Sequence, residues 1–183
     1  MSKTAFVFPG QGSQGLGMLA DFADRTPVRQ AFQEASGALD LDLWALAQDG
    51  PQDALNRTEN TQPLLLTAGV ALWKLWEQAG GPRPALLAGH SLGEYTALTC
   101  AGVLNLGDAV RLVRTRGQLM QQAVPDGQGS MAAILGLDDD QVRQACATAA
   151  EQLADKQSGA AVGGVDGAVG AKGEDAAAAR GRR

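Results

Sequence analysis

The residues best suited to chemistry form the pentapeptide Gly89-His90-Ser91-Leu92-Gly93, which reads GHSLG. The spacing G-x-S-x-G between a short apolar run and a helix-forming segment is typical of a nucleophile elbow, a sharp turn that exposes a serine hydroxyl. The first N–H groups of the following helix have no partner inside it and carry its positive end, so they can stabilise a nearby oxyanion. The pattern predicts that Ser91 is a catalytic nucleophile. The alternative is an ordinary glycine-flanked turn.

A second glycine-rich segment, 9–15 (PGQGSQG), has the spacing G-x-G-x-x-G. This spacing can indicate a dinucleotide site, but such a site also needs an acidic residue about 20 residues on, at the end of a second strand. Glu34 lies near that distance, yet its surroundings (RQAFQEAS) predict a helix. We therefore favour another role, in which Gln11 and its neighbours offer backbone N–H groups to an oxyanion opposite Ser91. A turn without any ligand is the alternative.

An arginine interrupts the apolar stripe of the helix predicted over 106–123. Arg116 follows one member of the stripe by four residues and precedes another by three. The stripe consists of Leu112, Leu119, Met120 and Ala123. Arg111 and Arg114 fall on a different face and are expected to lie in solvent.

A guanidinium that turns inward needs a carboxylate, because an unpaired buried charge is very costly. A protein acid such as Glu94 could supply it, and so could a substrate. The planar fork of arginine binds a carboxylate with two parallel hydrogen bonds, which suits substrate recognition. The pattern around Arg116 leaves both interpretations open.

The elements that must position these residues alternate between strands and helices. The sequence predicts strands over 4–8 and 85–88, with a third strand within 130–137, and helices over 27–37, 41–48, 61–78, 92–101, 106–123 and 138–153. Such alternation favours an α/β fold with a largely parallel sheet. With 183 residues, 45% of them hydrophobic, the chain is long enough for one domain or slightly more.

Composition excludes several classes of function. The formal net charge of −5 argues against general nucleic-acid binding. Two cysteines and one histidine predict neither a disulfide framework nor a metal site. The longest uncharged stretch, 60–73, is shorter than the roughly 20 residues that span a bilayer, and no secretory signal is recognisable near the start. These features predict a cytoplasmic protein that does not bind membranes.

Residues 157–183 differ from the rest of the chain. They are rich in glycine and alanine, contain no aromatic residue, and carry only three valines as larger apolar groups. Such a segment buries too little surface to offset an ordering entropy of roughly 1–2 kcal/mol per residue. It is predicted to be disordered.

Five segments, in order, resemble the malonyl-CoA:acyl carrier protein transacylases of fatty acid synthesis: FVFPGQGSQ, TQPLLL, GHSLGEYTAL, VRTRGQLMQ and GSMAAILGL. The resemblance covers roughly residues 4–155. It implies an α/β-hydrolase-like parallel-sheet core with a smaller ferredoxin-like subdomain. On this basis, 1–126 is the first part of the large domain, 127–156 begins the small subdomain, and 157–183 is a tail outside the family pattern.

The resemblance also implies a chemistry. Ser91 takes malonyl from coenzyme A and passes it to the phosphopantetheine thiol of acyl carrier protein, with no further cofactor. Gln11 and Leu92 supply the backbone N–H groups of the oxyanion hole. Arg116 holds the free malonyl carboxylate, and Met120 is expected to line the pocket. Separately from the resemblance, we expect a monomer.

The chain departs from the family pattern in one respect that matters for catalysis. The family's general base is a histidine well downstream, whereas this sequence has no histidine after His90. His90 directly precedes the serine, so its side chain is expected on the opposite face, in a structural role. The chain is therefore expected to be feebly active. Two other functions remain open: an esterase of the α/β-hydrolase class, and a non-catalytic remnant that binds acyl carrier protein.

Overall fold

The structure, a computed structural model, describes residues 4–123 and 134–159, with the side chains of 153–159 excepted. It combines a small parallel sheet with helices, so the predicted α/β class is confirmed at that level. The described elements are β1 (Ala5–Phe8), α1 (Thr26–Leu39), α2 (Leu43–Asp49), α3 (Gln52–Asn56), α4 (Thr58–Gln78), β2 (Leu86–Gly89), α5 (Leu92–Cys100), α6 (Leu106–Ala123) and α7 (Asp139–Gly159). A short 3-10 turn, Ala20–Phe22, precedes α1.

The two strands lie parallel and in a register that sets the position of the site. Ala5 pairs with Leu86 at one end, and Phe8 pairs with Gly89 at the other. The carboxyl ends of β1 and β2 are therefore side by side. The loop that follows β1 and the turn that follows β2 leave the sheet at the same edge, where ligands of parallel sheets usually bind.

Helix α4 is the centre of the core. It packs against α1, α5 and α6, and Phe6 of β1 meets the rings of Trp73 and Trp76 edge-to-face at 5.6 and 5.2 Å. Each fully buried aliphatic side chain contributes about 1.5–3 kcal/mol relative to exposure, so these contacts dominate stability. The fully buried large apolar residues include Val28, Leu43, Leu55, Leu64, Leu66, Val110 and Val113.

The outer face of the sheet is bare in the described part of the chain. Val7 is 74% exposed and Leu86 is 68% exposed, whereas Phe8, on the other face, is buried. Parallel sheets are normally covered on both faces, and they carry apolar residues on both for that reason. The two strands therefore carry apolar residues on both faces, but the described residues cover only the face that contains Phe8.

The predicted elements differ from the observed ones in several places. Helix α4 begins at Thr58, three residues earlier than predicted, so Pro63 lies inside it. The five-residue helix α3 is not predicted. Residues 134–137, the described part of the predicted third strand, form no strand. Helix α7 extends to Gly159, so the prediction of disorder is wrong for 157–159, and 160–183 lie outside the described residues.

The chain divides into two compact units, Met1–Ser130 and Met131–Arg183. In the second unit, the start of α7 is capped reciprocally: the N–H of Gln141 donates to Asp138 Oδ1, and the N–H of Asp138 donates to Gln141 Oε1. The predicted boundary between 126 and 127 stays a prediction. Over the part of the chain that is described, no helix combines the length and apolar character needed to cross a membrane.

Candidate active site

The turn after β2 is a strained elbow that carries Ser91. The serine has φ 55° and ψ −110°, in the left-handed half of backbone space, and α5 begins at the next residue. Two glycines make this close packing feasible. A Cβ on Gly89 would overlap the backbone of Gly93, and a Cβ on Gly93 would overlap the carbonyl of Phe8. The elbow predicted from G-x-S-x-G is thus present, and it places the half-buried serine at the edge of the sheet.

The glycine-rich loop after β1 lies against this elbow. A Cβ on Gly10 would be 3.2 Å from the carbonyl oxygen of His90. The loop is organised by its own side chains: Gln14 accepts from the N–H of Gly12 at 2.8 Å and donates to Asn56 at 3.1 Å. The N–H of Gly12 is therefore engaged within the loop and is not offered to a pyrophosphate.

The dinucleotide interpretation also fails at the acidic residue. Glu34 lies within α1, with no strand before it, and its carboxylate is 3.5 Å from Lys74 Nζ. The loop leads into α1 only after many residues, so no helix begins at its glycines. These features disfavour a dinucleotide site, and the predicted role of the loop stays a prediction.

The two residues predicted for the oxyanion hole lie at the same sheet edge. Leu92 is the first residue of α5 and is buried, and the next amides donate elsewhere, Gly93 to His90 O and Glu94 to Ser91 O. Gln11 lies in the loop after β1, and its side-chain Oε1 accepts a hydrogen bond from Thr58. That contact ties the loop to the start of α4. The predicted role of the two backbone amides stays a prediction.

Arg116 reaches the serine from α6. Its Nη2 donates to Ser91 Oγ at 2.9 Å, and its Nη1 donates to Gln62 Oε1 at 2.7 Å. The guanidinium carbon lies 5.7 Å from the centre of the Tyr95 ring. The side chain is half-buried. The inward turn predicted for Arg116 is therefore present, and the cation points at the candidate nucleophile.

Glu94, the acid considered as a partner of Arg116, does not pair with it. Glu94 is exposed and makes no ion pair with it. Among the described residues, the hydrogen-bond acceptors of Arg116 are a hydroxyl and an amide oxygen. The interpretation as a structural ion pair with Glu94 is wrong, and no other carboxylate among the described residues pairs with Arg116.

Gln62 is the residue that sequence reasoning missed. Its side chain is completely buried, and its Nε2 lies 3.4 Å from the sulfur of Met120. It is the lone amide in the apolar run of α4, a signal that could have marked it for a polar task in the core. Tyr95, which lies under the guanidinium, was also missed, and nothing in the sequence pattern distinguishes it.

The predicted orientation of α6 needs two corrections. Leu112 is 47% exposed and Leu119 is 61% exposed, so the stripe around Arg116 does not face the core. The buried face consists of Leu106, Ala109, Val110, Val113 and Gly117. This helix has apolar residues on two faces, and the fit of Gly117 against α4, where a Cβ would be 2.6 Å from Glu59 Cα, decides which one packs. The exposed stripe instead lines an open groove of about 370 Å³ that includes Arg116 and Met120.

The second correction concerns Arg114, which was expected in solvent. It is half-buried and donates to the carbonyl of Leu39 at 3.1 Å. Arg111, which is exposed as expected, donates to the carbonyl of Ala38 at 3.3 Å and pairs with Asp108. Both cations lie at the C-terminus of α1, where the last carbonyls have no hydrogen-bond donor within the helix. Positive charge is favourable at that end of a helix.

Among the described residues, the side chain that hydrogen-bonds to Ser91 Oγ is Arg116 and not His90. His90 has an exposed side chain, and its carbonyl accepts from the N–H of Gly93. No metal-binding group of three or more suitable side chains is found among the described residues. The described chemistry of the site is therefore a strained serine, an inward-turned cation and a helix N-terminus.

Comparison with known proteins adds the family. The family model of the acyl transferase domain matches residues 5–169, most of the chain. The chain belongs to this family. A relative named malonyl CoA-acyl carrier protein transacylase, from Salmonella typhimurium, is 62% identical over 152 residues, which are 82% of this chain and 49% of the relative. The chain thus spans about half the length of the curated relatives that it matches.

Solved structures of related proteins have the same architecture. An acyl carrier protein S-malonyltransferase from Vibrio cholerae superposes with a TM-score of 0.73 at 60% identity, over 81% of this chain and 49% of that one. A malonyl-transacylase solved in complex with a type II PKS acyl-carrier protein gives a TM-score of 0.75 at 57% identity, over 80% of this chain and 48% of that one. The chain is therefore similar in sequence and fold to about half of the length of these proteins.

Proposed function

We propose that this chain carries the nucleophile and the carboxylate-binding half of a malonyl-CoA:acyl carrier protein transacylase. Ser91 Oγ attacks the thioester carbonyl, the carbon–sulfur bond breaks, and coenzyme A leaves as the thiol with the proton that the serine gives up. The thiol of the phosphopantetheine arm then attacks the seryl ester and regenerates the hydroxyl. The observation that carries the proposal is the 2.9 Å contact between the strained serine and the guanidinium of Arg116.

Arg116 gives the reaction its preference for malonyl. In the proposed complex its fork holds the free carboxylate, and an acetyl thioester would leave that guanidinium without its partner. Gln62 stays on Nη1 and fixes the direction of the fork. Met120 lines the same groove and supplies an apolar wall for the methylene group.

The oxyanion of each tetrahedral intermediate forms beside the elbow. The N–H of Leu92, at the positive end of α5, and the N–H of Gln11, in the loop after β1, are the proposed donors. The tight approach of Gly93 to β1 and of Gly10 to His90 supports this proposal, because it brings the loop and the helix start together.

The finer features of fold, partner and location are part of the same proposal. The sheet and its helices form the first part of an α/β-hydrolase-like core, and α7 belongs to a ferredoxin-like small subdomain. Acyl carrier protein is the acceptor, no cofactor takes part, and the reaction occurs in the cytoplasm. The esterase alternative does not call for a cation at the serine. The binding-only alternative relied on Arg111 and Arg114, which are engaged with the end of α1.

The test compares malonyl-CoA with acetyl-CoA on the purified chain. Calorimetry should show tighter binding of malonyl-CoA, and Arg116→Gln should remove the difference, whereas the matched control Arg114→Gln should keep it. Loss of the histidine base lowers the turnover of serine enzymes by a factor on the order of 10⁶. Intact-mass spectrometry should therefore show little acyl-Ser91 when no external base is added. Added imidazole, a substitute base, should raise the malonyl adduct, and Ser91→Ala should abolish it.

Two results would contradict the proposal. Equal binding of the two thioesters, unchanged by Arg116→Gln, would remove the role of the cation. Hydrolysis of p-nitrophenyl esters without any preference for malonyl thioesters would favour the esterase.

A further inference from the structure

We infer that the hydroxyl of Ser91 is the resting partner of Arg116 and that a substrate carboxylate must displace it, so the two residues form a latch that the correct substrate opens. The inference rests on the proposed role of Arg116 as the carboxylate ligand. It adds that the nucleophile itself competes for the cation. A substrate that carries a free carboxylate would then be favoured in two ways, because it binds Arg116 and because it releases Ser91 for attack.

Arg116 Nη2 and Ser91 Oγ are 2.9 Å apart, a direct hydrogen bond with room for nothing between the two atoms. In an extended malonyl ester, the far carboxyl carbon lies roughly 4 Å from the ester oxygen, since three bonds separate them. The guanidinium must bind beyond that carbon at a charge-assisted hydrogen-bond distance. The malonyl ester and the resting contact therefore exclude each other, and Nη2 has to retreat.

The surroundings of Arg116 allow Nη2 to retreat in one direction. Nη1 is held by Gln62, which is completely buried and cannot follow. The side chain of Arg116 also lines an open groove of about 370 Å³, together with Leu112, Leu119 and Met120, which leaves space for Nη2 to move. The ring of Tyr95, 5.7 Å from the guanidinium carbon, offers a surface over which the cation can shift while keeping its cation–π contact. Gln62 acts as the pivot.

The latch has a chemical consequence. While Arg116 donates to Ser91 Oγ, a lone pair of the nucleophile is engaged and its attack on a carbonyl is hindered. A thioester without a carboxylate leaves the latch closed, because it offers the guanidinium nothing better. A malonyl thioester opens it by supplying an ionised acceptor, which forms a stronger hydrogen bond than a neutral hydroxyl does.

The sequence provides a reporter for the test. Tyr95 is the only tyrosine of the chain, so incorporation of 3-fluorotyrosine gives one ¹⁹F resonance, and it lies against Arg116. The probe is the anion of monomethyl malonate, and uncharged methyl propionate is the matched control. Ser91→Ala removes the competing hydroxyl. Ser91→Gly does the same and accepts the φ of 55° without strain, so it serves where the alanine variant fails to fold.

We expect the resonance of the parent chain to shift saturably with monomethyl malonate and not with methyl propionate. Without ligand, the Ser91 variants should already be shifted toward the ligand-bound position. They should bind the anion roughly three- to ten-fold more tightly, because a hydrogen bond to a charged donor no longer competes. Arg116→Gln should show no saturable shift.

Equal affinity in the parent and the Ser91 variants, with identical resonances before ligand is added, would overturn the latch and leave the proposed function intact. A saturable shift that persists in Arg116→Gln would also overturn the latch, since the response would not come from the cation. Absence of any saturable response in both the parent and the Ser91 variants would overturn the carboxylate role of Arg116 and the latch together.

Discussion

Gln62 and Arg116 are joined by a 2.7 Å hydrogen bond between Oε1 and Nη1, although they lie on different helices. Gln62 is the buried member of the pair and Arg116 the half-buried one. A buried amide has few ways to move, so this bond orients the cation toward the sheet edge. The direction of the guanidinium is thus set from α4, not from its own helix.

Replacement of Gln62 should therefore change carboxylate binding at a distance from the serine. Gln62→Leu leaves Nη1 without its acceptor, and we expect about ten-fold weaker binding of monomethyl malonate and a loss of about 1–3 kcal/mol in the free energy of unfolding. Gln62→Glu supplies a competing carboxylate and should abolish binding of the anion. Calorimetric titration and urea unfolding measure the two effects. Wild-type affinity in Gln62→Leu would contradict the positioning role.

The backbone strain at Ser91 predicts that the nucleophile lowers stability. Ser91→Ala and Ser91→Gly both remove the hydroxyl, but only glycine accepts a φ of 55° without cost. We expect the glycine variant to be more stable than the alanine variant by about 1 kcal/mol. Urea unfolding followed by circular dichroism measures the difference. Equal midpoints would mean that the elbow carries no strain.

Gly117 should be intolerant of any side chain. A Cβ there would lie 2.6 Å from Glu59 Cα and 2.7 Å from the carbonyl oxygen of Thr58, both backbone atoms that cannot move independently. Gly117→Ala should destabilise the chain by about 1–3 kcal/mol, as overpacked cores do. The matched control is Gly37→Ala in α1, where no atom lies within 4 Å of the new Cβ, and it should stabilise by about 0.5–1 kcal/mol. Thermal unfolding of both variants tests the pair.

The two cysteines should differ in reactivity. Burial, followed by the charge of Glu77, raises the pKa of Cys100 from 9.0 to about 12, whereas Cys146 is exposed. Only the thiolate reacts, so at pH 8 a thiol reagent should label Cys146 rapidly and Cys100 only after unfolding. Cys146→Ser should remove the fast phase.

The same shift predicts a loss of stability at alkaline pH. The unfolded chain gives up the Cys100 proton near pH 9, before the folded chain does. The contribution of this thiol to stability is therefore complete below pH 9 and falls as the pH rises toward about 12. Cys100→Ala should reduce that part of the alkaline decline, and an unchanged profile would count against it.

The bare face of the sheet should limit solubility. Val7 and Leu86 are both largely exposed on neighbouring strands, and exposed apolar patches favour association. The double variant Val7→Thr, Leu86→Thr keeps strand-forming residues and should aggregate less in light scattering without losing thermal stability. Phe8→Thr, which alters the buried face, should lower stability instead.

Local patterns were sufficient for most of the longer elements and for the elbow. The bounds of α6 agree with the prediction, and Leu92 begins α5 as expected, because capping preferences and 3.6-residue periodicity are properties of neighbouring residues. The described part of the third strand, 134–137, and the first three residues of the tail, 157–159, were predicted less well. Residues 134–137 are a short apolar run and residues 157–159 are small or polar, so the local preference of either segment for helix, strand or coil is weak.

The face of α6 could not be predicted in the same way. Periodicity identifies an apolar stripe, but α6 has two, and the choice depends on the shape of the partner helix. The close approach at Gly117 selects the face with Val110 and Val113, which leaves Leu112 and Leu119 in the open groove beside Arg116.

The amino-acid sequence by itself determined the elbow around Ser91, the glycine loop and the presence of a misplaced cation in α6, since each follows from the side chains and backbone freedom of adjacent residues. Only the tertiary structure decided that Gln62 and Ser91 are the partners of Arg116 and that Glu94 is not. Hydrogen bonds between α4, α5 and α6 depend on how those helices pack, and packing is a property of the whole core.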